Sequence, residues 1–227
     1  MKKFVVGLMV ALMCVHFGTL DVYASELPLY LLNQISRTVH DAAMAVTKDD
    51  TVGYIYLGDS RFVGMNKAVD IEQEDNQFVV AKVGQGYKWL QDTAIDEIDK
   101  IISNNDFDRW VLITGLGVND LRNIDKYIDY YDSVDNMHVV LVSVNPVEKS
   151  GCDKYGYDYS GLSNGMVKFN DKLQDTDYPY IDTYDYMIEN GFSTRDGVHY
   201  TNDTYEEIYG FIREYITNLE AELAGRK

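Results

Sequence analysis

Cysteine is nearly absent from the chain: of 227 residues only Cys14 and Cys152 carry a thiol. Cys14 falls in an N-terminal segment that reads as removable, so Cys152 is left alone, either buried or a lone thiol. No intrachain disulfide can then form, and stability must come from a core. Proline is as scarce, with 3 residues, and no low-complexity tract interrupts the sequence. Together with an apolar share of 46%, this excludes collagen-like and disordered classes. Basic residues are few, 20 Lys and Arg against 37 Asp and Glu, for a formal charge of −17. Such a field repels phosphate, which makes nucleic acid and anionic lipid surfaces poor partners. Beyond the first fifteen residues no apolar run approaches the ~20 residues of a membrane span.

The N-terminus carries Lys2 and Lys3, an apolar run from Phe4 to Val15, and a polar stretch ending in Val22-Tyr23-Ala24 before Ser25. That is the three-part layout of a secretory signal, with cleavage expected after Ala24. Met13 before Cys14 is not the small residue that a lipoprotein processing site needs. The expected organisation is a signal peptide over 1–24, an N-terminal helical segment packing on the domain over 25–50 (a helix from about Leu27 to Val46), and one domain over 51–227. The mature protein is expected to be secreted or associated with the cell envelope, with no stable membrane insertion. Losing Lys2, Lys3 and Asp21 leaves it with 18 basic and 36 acidic side chains.

Within the domain, apolar runs rich in Val, Ile and Tyr alternate with segments of helical period, which predicts an α/β fold. The strands are expected at Val52 to Leu57, Phe78 to Val83, Trp110 to Thr114, His138 to Val144 and Tyr180 to Asp182. Each reads as a continuous apolar run, as strands of a parallel sheet do when both faces are covered. Helices are expected at about Tyr87 to Ile102, Leu121 to Tyr131 and Leu162 to Leu173. The last helix opens on a capping-box-like Asp203 and Glu206 and carries one apolar stripe through Tyr205, Ile208, Ile212, Tyr215, Ile216, Leu219 and Leu223.

Chemistry-bearing residues gather after the strands. Gly58-Asp59-Ser60-Arg61 follows the first, Gly84-Gln85-Gly86 the second and Gly117-Val118-Asn119-Asp120 the third, while Asp196-Gly197-Val198-His199 precedes the last helix. Carboxyl ends of strands are where open α/β sheets bind ligands. The set matches the needs of acyl transfer. A serine hydroxyl requires a base, which His199 can be, and the imidazole requires a carboxylate to fix its tautomer, which Asp196 can be. The carbonyl oxygen gains charge and requires donors, which the Ser60 and Gly86 backbone N–H groups and the Asn119 amide can be.

With these blocks the chain resembles the SGNH hydrolases, also called the GDSL esterases and lipases, whose four blocks centre on Ser, Gly, Asn and His. Here they are Ser60, Gly86, Asn119 and His199. The resemblance runs from about Val52 to the end of the last helix. It implies a flavodoxin-like three-layer α/β/α sandwich with a mainly parallel sheet of about five strands, no cofactor or metal, and ester hydrolysis through an acyl-enzyme. Two features depart from the pattern. Arg61 stands where the family's name has leucine, and Gly84 competes with Gly86 for the second block, Gly86 fitting better because it directly precedes a helix.

Each block alone is common; a tripeptide such as Gly-Asp-Ser arises by chance in roughly one chain of this length in twenty. Other roles are open to single residues. Ser60 and Asn119 stand where helix N-caps stand, Asp120 suits a structural role, His40 has no carboxylate three residues before it, and His138, three residues after Asp135, opens a strand as structural histidines do. The Asp132 to Asp135 cluster lacks the spacing of a calcium loop. The stretch from Asn145 to Gly165 reads as a long connection at the catalytic edge, holding Tyr155, Tyr157 and Tyr159. With Arg61 these tyrosines are the candidate substrate contacts. Their flat, hydroxylated rings suit a polyhydroxylated partner better than a long alkyl chain, so the expected substrate is a small ester or an acylated glycan that loses a short acyl group, most simply acetyl. A lipase or lysophospholipase-type esterase, an O-acyltransferase on the same scaffold, and a catalytically silent glycan-binding module are the alternatives.

Overall fold

The computed structural model describes residues 51–225, within a compact unit that spans Thr51–Lys227. The expected signal peptide, the helix from Leu27 to Val46, His40 and Cys14 lie outside the described residues. In chain order the elements are β1 (Val52–Gly58), α1 (Ser60–Val69), β2 (Gln77–Ala81), α2 (Tyr87–Trp89), a π-turn (Leu90–Ala94), α3 (Ile95–Asn104) and β3 (Arg109–Thr114). There follow α4 (Ile124–Asp132), β4 (His138–Val142), α5 (Lys149–Tyr155), α6 (Tyr159–Gln174), β5 (Tyr180–Ile181), α7 (Thr183–Asn190) and α8 (Asn202–Gly225).

All five strands run parallel, in the order β2-β1-β3-β4-β5. Alternate residues of each strand face opposite layers. Ile55, Leu57, Leu112 and Leu141 pack with Leu90, Ile98, Tyr127, Met166 and Phe169 on one side. Tyr54, Tyr56, Ile113 and Val142 pack with Phe62, Met65, Met187, Ile208 and Ile212 on the other. Both faces are therefore covered, which is why the strands read as continuous apolar runs. Each fully buried Leu or Ile contributes about 1.5–3 kcal/mol. The architecture is the three-layer α/β/α sandwich that the family resemblance implies.

This order puts a topological switch between β1 and β3. The chain leaves β1 for β2 on one side, then returns to β3 on the other, and the crevice opens at the carboxyl ends of both. Ser60 stands directly after β1, and Asn119 stands in the loop after β3.

Several boundaries differ from the sequence reading. β2 stops at Ala81, because its last partner is Gly58 at the end of β1, and Val83 beyond it is exposed. β4 stops at Val142 for the same reason, its final neighbour being Ile181. Asp182 leaves the strand to cap α7, its side chain accepting the Asp185 N–H. α8 begins at Asn202, so Asp203 lies within its first turn instead of capping it.

Candidate active site

Ser60 is the first residue of α1, a place where a serine often spends its hydroxyl on capping. Asp59 takes that duty instead, its Oδ1 accepting the Arg61 N–H at 2.9 Å. The serine hydroxyl is left for another partner. Ser60 Oγ lies 2.9 Å from His199 Nε2, and His199 Nδ1 lies 2.7 Å from Asp196 Oδ2. Asp59 is fully buried, and burial pushes its carboxyl above the usual range against the pull of Arg61 and of the cap bond.

The segment carrying Asp196 and His199 is a closed turn. An antiparallel bridge joins Thr194 to Tyr200, and the Arg195 N–H donates to the His199 carbonyl at 2.7 Å. Inside it, Asp196 Oδ1 accepts the N–H groups of Val198 and His199 at 2.9 and 2.8 Å. Gly197 takes φ +92, and a Cβ there would meet the Cys152 nitrogen at 2.3 Å, so α5 packs directly against the turn. Glu148 adds to that seam: its N–H donates to the Gly197 carbonyl at 2.8 Å and its Oε2 accepts the Thr194 hydroxyl. For Asp196, burial raises the pKa, but bonds from the His199 N–H, the His199 ring and the Val198 N–H outweigh it. The carboxyl is held below its ordinary value.

Two of the oxyanion candidates, Gly86 and Asn119, stand on loops that Asp120 ties together. Its Oδ2 accepts the Tyr87 N–H at 2.8 Å and the Asn123 amide at 2.9 Å, and its Oδ1 accepts the Tyr127 hydroxyl at 2.7 Å. The carboxylate thus serves as a hub between the second and third loops and not as a helix cap. Asn119 does not cap either, since its exposed amide donates to the Gln85 carbonyl at 2.7 Å, leaving its second N–H free for a ligand. Gly84 and Gly86 separate by role: Gly84 takes φ +70 in open space, whereas Gly86 is extended and lies against Asp120. A Cβ on Gly86 would meet the Asp120 carboxyl carbon at 2.5 Å. Gly86→Ala is therefore expected to lower stability by about 1–3 kcal/mol through overpacking, read as a lower urea midpoint at unchanged m-value. A midpoint equal to wild type would mean the hub yields freely.

The substrate contacts expected from sequence fare differently. Arg61 is 5% exposed, and its donors go to backbone carbonyls, Nε to Val198 at 3.1 Å and Nη1 to Asn145 at 2.8 Å. Those two donors are thus engaged within the protein. Tyr155 and Tyr157 are exposed, but Tyr159 packs against the core on α6. Among the described residues no hydrogen bond or ring contact links these tyrosines to Ser60 or His199. The stretch from Asn145 to Gly165 is not a long loop, because it contains α5 and the start of α6. Cys152 is buried on α5, its Sγ 3.7 Å from the Gly197 carbonyl, and burial pushes its thiol pKa up. His138 is exposed at the start of β4.

Among solved structures the chain is similar to a member of the lipolytic protein G-D-S-L family from Veillonella parvula DSM 2008. The two share 16% identity over 73% of this chain and 98% of that one, with a TM-score of 0.52. The fold is that of the G-D-S-L lipolytic proteins. A gut microbial diltiazem-metabolizing enzyme is similar at 12% identity over 73% of this chain and 47% of that one, with a TM-score of 0.53. The sequence matches no family model and no curated protein. Likeness at these identities speaks for the G-D-S-L fold, and the chemistry must be argued from the side chains.

Proposed function

We propose that the protein is a serine ester hydrolase of the SGNH type. The observation that carries this reading is the hydrogen-bonded line Ser60 Oγ, His199 Nε2, His199 Nδ1, Asp196 Oδ2, at 2.9 and 2.7 Å. Ser60 attacks the ester carbonyl while His199 takes its proton, then returns it to the leaving alcohol. Asp196 holds the imidazole with Nδ1 protonated, so that Nε2 is the basic nitrogen. The Ser60 and Gly86 N–H groups and the Asn119 amide receive the developing oxyanion. Water then takes the place of the alcohol and releases the acid. The test is hydrolysis of a fluorogenic short-chain ester together with single-site labelling by a serine-directed organophosphonate. No turnover above the Ser60→Ala background would end the esterase reading.

Asn119→Ala is expected to lower kcat about 100- to 1,000-fold, since it removes one of several oxyanion donors. A variant within threefold of wild type would confine Asn119 to its bond with Gln85.

The finer reading is removal of short acyl groups, most simply acetyl, from carbohydrate by an exported enzyme. Exposed Tyr155 and Tyr157 offer rings to a sugar, and a formal charge of −17 favours an uncharged polymer over an anionic film. Butyrate-length esters turned over faster than twelve-carbon esters, and acetate release from acetylated oligosaccharides, would support this. Preference for long chains would remove the substrate and leave the mechanism. Export through residues 1–24 is tested by N-terminal sequencing of the protein recovered outside the cell.

A further inference from the structure

Arg61 directly follows the candidate nucleophile and reaches both sides of the candidate base. Its Nε donates to the Val198 carbonyl at 3.1 Å, the residue before His199. Its guanidinium lies 5.3 Å from the centroid of the Tyr200 ring, the residue after. Its Nη1 donates to the Asn145 carbonyl at 2.8 Å, and the Tyr200 hydroxyl bonds the neighbouring Pro146 carbonyl. One planar group thus joins the start of α1, the loop after β4 and the turn that carries the base.

We propose that Arg61 is a positioning residue that sets the reach of His199 Nε2 to Ser60 Oγ by clamping the two residues flanking the histidine. This rests on the esterase reading above. Asp196 fixes the imidazole only from within its own turn, through Val198, His199 and the ring. Nothing in those bonds sets the distance from the turn to α1. Arg61 spans that gap through backbone contacts, and being adjacent to Ser60 it ties the nucleophile and the base to one rigid group. A fixed fork suits two carbonyls and an aromatic face at once, which a single ammonium does not.

The arrangement also carries a cost that a packing residue would avoid. Arg61 is 5% exposed, and its Nη2 finds no partner among the described residues. A leucine, as in the name of the fold, would fill such a place without burying a charge. Retention of an incompletely satisfied guanidinium there is understandable if its carbonyl contacts do something that apolar packing cannot.

The test uses the full-length protein with Arg61→Lys, which keeps charge, and Arg61→Met, which keeps length. Leu173→Ala, buried on the opposite face of the sheet, serves as the control for lost stability. For both Arg61 variants, kcat and the organophosphonate labelling rate are expected to fall about 10- to 100-fold with KM within threefold, as a small misplacement of the base would give. The ¹⁵N resonance of His199 Nε2 in the ligand-free protein is expected to move as its bond with Ser60 loosens. Leu173→Ala should lower the melting temperature and leave kcat and the resonance in place. Arg61→Lys with kcat within threefold of wild type and an unmoved resonance would overturn the proposal, as would equal losses in Leu173→Ala. Should Arg61→Met fail to fold, Arg61→Lys decides. If the wild type neither hydrolyses esters nor takes the label, the esterase reading fails, and the resonance comparison still decides whether Arg61 positions His199.

Discussion

Replacement of Ser60 by alanine is expected to remove turnover by a factor on the order of 10⁶ while the protein stays folded. Ser60 is 8% exposed, and among the described residues the side-chain partner of its hydroxyl is His199 Nε2 at 2.9 Å. The helix start does not depend on it, because Asp59 supplies the cap through Arg61 N–H. His199 keeps about a third of its side chain exposed, so solvent replaces the lost bond. The stability cost is accordingly about 1 kcal/mol. Activity is read with a short-chain ester and folding by circular dichroism and urea titration. Residual kcat above a hundredth of wild type, in protein freed of wild-type contaminant, would remove Ser60 from the role of nucleophile.

The strands and the placing of the first three blocks after them were legible because both rest on local rules. A parallel strand covered on both faces must be apolar throughout, and the loops after β1 and β3 must bring Ser60 and Asn119 to the switch point. What was not legible depends on contacts between distant segments. Gly151, Gly156, Gly161 and Gly165 read as a loop, yet Gly151 fits against Gly197, Gly165 fits against Leu121, and Gly156 ends α5 at φ +81. Glycine marks close approach as readily as it marks a turn. Arg61 shows the same limit, since its exposure and partners are set by Val198 and Asn145, 137 and 84 residues away. The tyrosines divide likewise: their spacing in sequence says nothing of the helix boundary that sends Tyr159 to the core and leaves Tyr155 exposed.

Asp196→Asn is expected to lower kcat by about 10⁴, the scale seen where the same constellation of serine, histidine and aspartate loses its carboxylate charge. The geometry gives the reason. Asp196 Oδ2 faces His199 Nδ1 at 2.7 Å, and Oδ1 accepts two backbone N–H groups, from Val198 and His199. An asparagine carbonyl satisfies those two N–H groups and so turns its NH₂ toward Nδ1. The imidazole must then accept at Nδ1 and carry its proton on Nε2, the tautomer that cannot deprotonate Ser60. The pH dependence follows from the depressed carboxyl of Asp196, which keeps its charge whenever the imidazole acts as a base. A group whose folded pKa lies below its unfolded value of about 3.9 adds stability that is present above that value and lost as pH falls through the folded one. Wild type should therefore lose this contribution only in strong acid, whereas Asp196→Asn should show a flatter acid limb in urea midpoint against pH. Should kcat fall less than tenfold in a folded Asp196→Asn protein, Asp196 would be a brace for the turn alone, and the tautomer of His199 would be set elsewhere.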